Sequence, residues 1–233
     1  MTAPIVVLLD VDNTLLDNDR IIADLREHLA RDFGAASAER YWTIFEALRS
    51  ELGYVDYLGA LQRYRSAVET DDAAAHRLLS VSTFLIDYPF ADRLYPRALE
   101  VVARLGQLGT TVILSDGDVV FQPRKVMRSG LWDAVDGRVL IHVHKEQMLA
   151  SVQRNYPAER YVMVDDKVRI LTAMKAVLGD RLVTVFPRQG HYAHDPANTG
   201  RYPPADCTVE RIGDMLAVNI EALLGATLPE KPS

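Results

Sequence analysis

The stretch that decides the fold is Ile5-Val6-Val7-Leu8-Leu9-Asp10-Val11-Asp12-Asn13-Thr14. Five apolar residues in a row, without alternation and rich in β-branched types, predict a strand buried on both faces. The run stops abruptly at two carboxylates spaced i, i+2. A strand buried on both faces belongs to a parallel sheet with helices packed on each side.

The segments that follow divide into two kinds. The first lies between the opening run and Tyr95-Pro96 and reads as helical throughout. Ile21, Ile22, Leu25, Leu29 and Phe33 recur at helical spacing, with Gly34 as a stop. Tyr41, Trp42, Phe45, Leu48 and Leu52 form a second stripe. Tyr54, Tyr57, Leu58, Leu61, Tyr64 and Val68 form a third, and a fourth runs from Ala73 to about Leu85. Four amphipathic helices in succession predict a small bundle with its own core.

After Tyr95-Pro96, helix and strand alternate. Helices are expected at Ala98–Leu108, Val119–Ser129, Lys145–Asn155, Lys167–Leu178 and Val209–Leu224. Strands are expected at Thr111–Leu114, Arg138–Val143, Tyr161–Val164 and Leu182–Phe186. Crossover helices between strands require a mostly parallel sheet. The expected architecture is α/β: a Rossmann-like, three-layer core at 1–16 and 94–233, with an α-helical cap at 17–93 inserted after the first strand. The tail Pro229–Ser233 is expected to fray.

Composition excludes several alternatives. The 233 residues carry 26 basic and 32 acidic side chains, a net charge of -6. Basic and acidic residues are interspersed, so there is no clustered cationic face for nucleic acid. No apolar run reaches the length of a membrane span. A single cysteine, Cys207, allows no intrachain disulfide and no cysteine-built zinc site. No cationic stretch precedes the first apolar run, so no signal peptide is expected, and the expected location is cytoplasmic. Lysine occurs only at 125, 145, 167, 175 and 231, which makes each internal lysine a question.

Chemistry is expected where strands end. Asp10 and Asp12 follow the first strand, Ser115 the second, and Asp165 with Asp166 a later one. In a parallel sheet these ends share one edge, where open α/β sheets bind ligands. Several carboxylates in one crevice raise one another's pKa or require a cation, and a hard divalent ion with oxygen ligands meets that need. Lys145, after a strand, adds a fixed positive charge for an anionic substrate. This set suits phosphoryl transfer, which depends on positioning and on neutralising equatorial oxygens.

The ordered set Asp10-Val11-Asp12-Asn13-Thr14, Ser115, Lys145 and Asp165-Asp166 resembles the four motifs of the haloacid dehalogenase-like superfamily, and the helical segment resembles its small cap. The resemblance implies that Asp10 attacks phosphorus and that Asp12 protonates the leaving group, then activates water. It implies that Ser115, Asp116 and Lys145 bind the phosphoryl group. It implies that magnesium is bound by Asp10, by the backbone carbonyl of Asp12 and by Asp166, with Asp165 acting through water or exchanging roles with Asp166. An acid at position 12 favours phosphate-ester hydrolysis over dehalogenation, because halide needs no proton on leaving. The implied partner is a small phosphorylated metabolite.

Three positions depart from the family pattern: Asn13 in place of Gly, Asp116 in place of Asn, and Glu146 in place of Pro. Arg124 is a candidate to offset Asp116. A phosphomutase or a non-catalytic phosphometabolite-binding relative would use the same scaffold. A phosphonate hydrolase would need a cap lysine, and 15–95 contains none. A receiver domain would place its acids in a different order. His142 with His144 on one strand face, His191 with His194 and Asp195, and Arg188 after the last strand are weaker candidates with incomplete ligand sets.

Overall fold

The computed structural model describes residues 5–67 and 72–226. Val68 and the C-terminal tail, both named above, lie outside the described residues. The order is β1 (Ile5–Leu9), α1 (Asn18–Phe33), α2 (Ala35–Leu52), α3 (Tyr57–Ala67), α4 (Asp72–Asp87), α5 (Ala98–Gly106), β2 (Thr110–Asp116), α6 (Phe121–Arg128), α7 (Leu131–Ala134) and β3 (Val139–His142). It continues with α8 (Leu149–Asn155), β4 (Arg160–Val164), α9 (Val168–Leu178), β5 (Leu182–Pro187), α10 (Gly190–His194), α11 (Pro196–Thr199), β6 (Cys207–Val209) and α12 (Ile220–Ala226). Short 3-10 turns occupy Phe90–Arg93, Lys145–Gln147, Gly179–Arg181 and Ile212–Ala217. No helix among the described residues is long and apolar enough to cross a membrane.

The six strands form one parallel sheet in the order β3-β2-β1-β4-β5-β6, a doubly wound α/β arrangement of the Rossmann type. Alternate residues of the opening run face opposite layers. Val7 and Leu9 join Val101, Val102 and Leu105 of α5, while Val6 and Leu8 join Leu171 and Met174 of α9. That double burial explains why the run shows no polar alternation.

The first of these cores continues into α1–α4. Tyr41, Trp42, Phe45, Tyr57, Leu61 and Tyr64 are buried together. Tyr57 meets Phe121 of α6 edge-on at 5.2 Å, and Phe121 meets Phe90 at 5.7 Å. The aromatic stripe is therefore packing, as its spacing suggests, and it seats the helices on the sheet layer. Tyr54 is the exception: it precedes α3 and does not join this core.

Three elements differ from the sequence expectation. The segment after Lys145 is a 3-10 turn followed by α8, because Met148 leaves helical geometry (φ -99, ψ 13). His144 is not on β3: it lies beyond the strand in the left-handed region (φ 61), so it does not share a face with His142. The closing helix is split. Cys207–Val209 pairs with β5, Ile212–Ala217 is a 3-10 turn, and α12 starts only where Asn219 caps the Ala222 amide at 2.9 Å.

Candidate active site

Strand register brings the acidic ends together. Leu9 is level with Ile113 and Val164, and Val164 with Val185. Asp10 and Asp165, one residue further on, therefore leave the sheet side by side. Both still bond the ladder through their amides, to Val164 O at 3.0 Å and Val185 O at 3.2 Å. Asp10, Asp165 and Asp166 are buried, and one oxygen of each lies within 4.8 Å of the others.

The turn after β1 is fixed by its own side chains. Thr14 Oγ1 donates to Asp10 Oδ2 at 3.1 Å and accepts from the Asp166 amide at 3.0 Å. Asn13 adopts φ 60, a conformation Asn reaches more readily than other non-glycine residues. Its Oδ1 accepts from the amides of Asn18 at 3.0 Å and Asp19 at 3.1 Å. Gly190 backs onto it: a Cβ there would stand 2.5 Å from Asn13 Cβ, and its φ is +70. Buried Gln189 donates to Thr14 O at 3.2 Å and so ties the same turn to β5.

Lys145 is 1% exposed and reaches the centre of the cluster. Its Nζ donates to Asp10 Oδ1 and stands 2.7 Å from Asp165 Oδ2 and 3.3 Å from Leu114 O. Burial alone would lower its pKa. The carboxylates of Asp10, Asp165 and Asp116 outweigh that and hold the lysine charged. Lys167 is raised in the same way, against burial, chiefly by Asp166.

The acids respond in the complementary sense. Burial pushes Asp165 up to about 6 despite Lys145, and it pushes Asp166 well above the carboxylate range despite Lys167. Asp165 is engaged, by Lys145 and by the Lys167 amide at 2.8 Å on Oδ1. Both oxygens of Asp166 are buried without a hydrogen-bond partner. Orphaned carboxylate oxygens beside two other carboxylates fit a hard divalent cation with oxygen ligands.

Asp12 stands apart from that cluster. Its Oδ1 accepts from Lys125 Nζ at 2.7 Å and its Oδ2 from Gln122 Nε2 at 3.3 Å. The same Gln122 amide donates to Ser115 Oγ at 2.9 Å. Lys125 is 1% exposed and also donates to Asn18 Oδ1 at 3.0 Å. The sequence places Lys125 within the expected helix Val119–Ser129 but gives it no partner. One face of α6 supplies both Gln122 and Lys125, three residues apart, and the scarcity of lysine was the available signal.

Asp116 accepts from the Lys145 amide at 2.7 Å, and burial raises its pKa. It thus shapes the loop that carries Lys145. Arg124 does not offset it: its guanidinium pairs with Asp87 at 3.1 Å. Arg188 likewise pairs with Glu210 at 3.1 Å. His191 does not join His194. Its Nδ1 lies 2.6 Å from Asp19 Oδ1, and its amide donates to Asp19 Oδ2 at 2.8 Å, which links α10 to α1. His142 is half-buried, and burial lowers its pKa.

A cavity of about 500 Å³ opens between α1–α3 and this sheet edge, with Asp12, Asp116, Gln122 and Lys125 on one side and Arg26, Trp42 and Arg49 among its other walls. That volume suits a small organic molecule.

The family model for haloacid dehalogenase-like hydrolases matches residues 6–177. No curated protein matches the sequence. A haloacid dehalogenase-like hydrolase from Burkholderia xenovorans LB400 is 64% identical, with 93% of this chain and 99% of that one covered and a TM-score of 0.85. Two more distant structures share the fold. The HAD-hydrolase YfnB from Bacillus subtilis, bound to magnesium, is 16% identical over 94% of this chain and 100% of that one, with a TM-score of 0.62. The L-2-haloacid dehalogenase from Xanthobacter autotrophicus, with chloropropionic acid covalently bound, is 17% identical over 90% and 96%, with a TM-score of 0.57. With three quarters of its length inside the family model, and its acidic strand ends gathered at one sheet edge, this chain belongs to the haloacid dehalogenase-like hydrolases.

Proposed function

We propose that the chain is a magnesium-dependent phosphoric monoester hydrolase that acts on a small phosphorylated metabolite through an aspartyl-phosphate on Asp10. The observation that carries this reading is the Asp12 carboxylate. It lies two residues beyond Asp10, at the cavity, held by Lys125 and Gln122. An acid in that place serves a leaving group that must gain a proton, as an ester oxygen must and a halide need not.

In the first half-reaction an Asp10 oxygen attacks phosphorus and the ester P–O bond breaks. Asp12 gives its proton to the departing oxygen. In the second, Asp12 takes a proton from water, the water oxygen attacks phosphorus, and the bond to Asp10 breaks to release phosphate. Lys145 and Ser115 hold the phosphoryl oxygens through both steps, and Lys145 supplies charge in a site closed to solvent. Asp10 and Asp166 would hold magnesium directly, with Asp165 behind them, because Asp166 keeps both oxygens free while Asp165 is engaged by Lys145 and the Lys167 amide. When bound, the ion neutralises the carboxylates and the phosphoryl oxygens. Helices α1–α3 wall the cavity and limit water at the reacting centre.

The test is hydrolysis of p-nitrophenyl phosphate with magnesium chloride. The wild type is expected to turn it over, EDTA to stop it, and Asp10→Asn to abolish it while circular dichroism stays unchanged. Release of chloride from 2-chloropropionate without any phosphatase activity would replace this reading with dehalogenation.

A further inference from the structure

The cavity beyond Asp12 has an unusual charge balance for a protein of net charge -6. Several of its cations are already answered. Lys125 is paired with Asp12 at 2.7 Å, and Arg169 with Glu146 at 2.7 Å. Lys167 sits against Asp166. Arg49 is held by Glu46 at 3.3 Å and by the Tyr192 hydroxyl at 2.7 Å. Two cations remain. Arg26 on α1 and Arg201, in the segment after α11, both line the cavity and make no hydrogen bond or ion pair among the described residues.

Arg26 is nonetheless placed. Its guanidinium carbon lies 4.0 Å from the centroid of Trp42, a cation–π stack that holds the planar fork against a buried ring. Trp42 is 5% exposed, and its Nε1–H is buried with no hydrogen-bond partner. A wall with a pre-positioned guanidinium, a second free one and an unanswered indole donor lacks acceptors. Arg26 and Arg201 are both exposed and so open to an acceptor brought by a ligand, while the buried, unpartnered Trp42 donor shows that this wall is short of acceptors of its own. The ring of Trp42 is stacked by Arg26 and met edge-on by Tyr41 at 5.3 Å and Phe45 at 5.1 Å. It is engaged on these contacts and is no platform for a nucleobase.

We infer that the leaving group of the substrate carries its own oxyanion, a carboxylate or a second phosphate, received by Arg26 and Arg201. This rests on the hydrolase reading above and names the substrate class for the same site. The substrate then meets cations at both of its ends: Lys145, buried beside Asp10, would serve the phosphoryl group that is transferred, and the arginines on the cavity wall would hold the far end of the molecule in register.

Three size-matched esters test it: propyl phosphate, 3-(phosphonooxy)propanoate and propane-1,3-diol bisphosphate. The wild type is expected to favour at least one of the two charged esters over propyl phosphate by about tenfold or more in kcat/KM, since hydrogen bonds between charged groups are the stronger kind. Which of the two wins separates carboxylate from phosphate. Arg26→Ala and Arg201→Ala should each lower that ratio about tenfold, with part of it restored in Arg26→Lys. A wild-type ratio near one, or a ratio unmoved by both substitutions, overturns the inference while leaving the hydrolase reading intact. If none of the esters nor p-nitrophenyl phosphate is hydrolysed, the hydrolase reading fails. The subsite is then judged on binding, through a saturable change in tryptophan fluorescence on titration with glutarate. That change is expected in the wild type and lost in Arg26→Ala, and its absence from the wild type overturns the subsite as well.

Discussion

Lys125 Nζ lies 2.7 Å from Asp12 Oδ1, although 113 residues separate the two and only 1% of the lysine is exposed. Under the proposed mechanism this contact makes α6 part of the catalytic apparatus. The ammonium fixes the carboxylate proposed to transfer protons, and Gln122 on the same helix couples that carboxylate to Ser115. Lys125→Met should lower kcat on p-nitrophenyl phosphate about 100-fold, within the range ascribed to general acid–base catalysis, with KM changed less. Asp12→Asn should cost at least as much. If Lys125→Met keeps near-wild-type kcat, the pair is only structural.

Asp166 is a buried carboxylate with two unpartnered oxygens. Asp166→Asn should stabilise the metal-free protein, because it removes a group whose charged form is strongly disfavoured by burial. It should also abolish most of the rise in Tm that magnesium gives the wild type. Differential scanning calorimetry with EDTA and with magnesium checks both signs. Equal magnesium-induced shifts in the two proteins would show that Asp166 does not hold the ion.

Gly190 is required by both its backbone and its neighbour. Gly190→Ala combines φ +70 with a Cβ 2.5 Å from Asn13 Cβ. The expected loss is about 1–3 kcal/mol in denaturant unfolding, the range for strained backbone positions. Because Asn13 anchors the turn that carries Asp10, kcat should fall as well. An unchanged midpoint and an unchanged kcat would contradict the packing.

Asp206 reports on acid stability away from the site. It accepts from Lys175 Nζ at 2.8 Å and from the Thr184 amide and hydroxyl at 2.8 and 2.9 Å. Burial opposes its ionisation, but these bonds outweigh burial and hold its carboxyl below the usual range. A depressed carboxyl contributes stability above its unfolded pKa and loses it as pH falls through the lower folded value. Asp206→Asn should therefore cost about 1–3 kcal/mol near pH 7, and the gap to wild type should narrow below about pH 4. A gap that stays constant with pH would assign the effect to packing alone.

Much of the sheet was legible because its cues are local. Ile5–Leu9 and Tyr161–Val164 are apolar runs that end at carboxylates, and all of their residues but the half-buried Ile5 are buried. The order of acids, serine and lysine also stands in the sequence, since a parallel sheet collects its carboxyl ends at one edge whatever intervenes. β6 was missed, because three residues leave too little pattern to read.

What the sequence determined by itself was the set of chemical groups and the edge on which they meet. The tertiary structure alone decided how those groups pair. The choice of Lys125 for Asp12, of Asp19 for His191 and of Asp87 for Arg124 depends on how helices turn and dock. The physical reason is range. Strand runs and turn residues act over a few positions, whereas an ion pair needs two side chains that only packing brings within a few ångströms. The same holds for Arg26, whose stacking on Trp42 turns an ordinary helix-surface arginine into a fixed donor on the cavity wall.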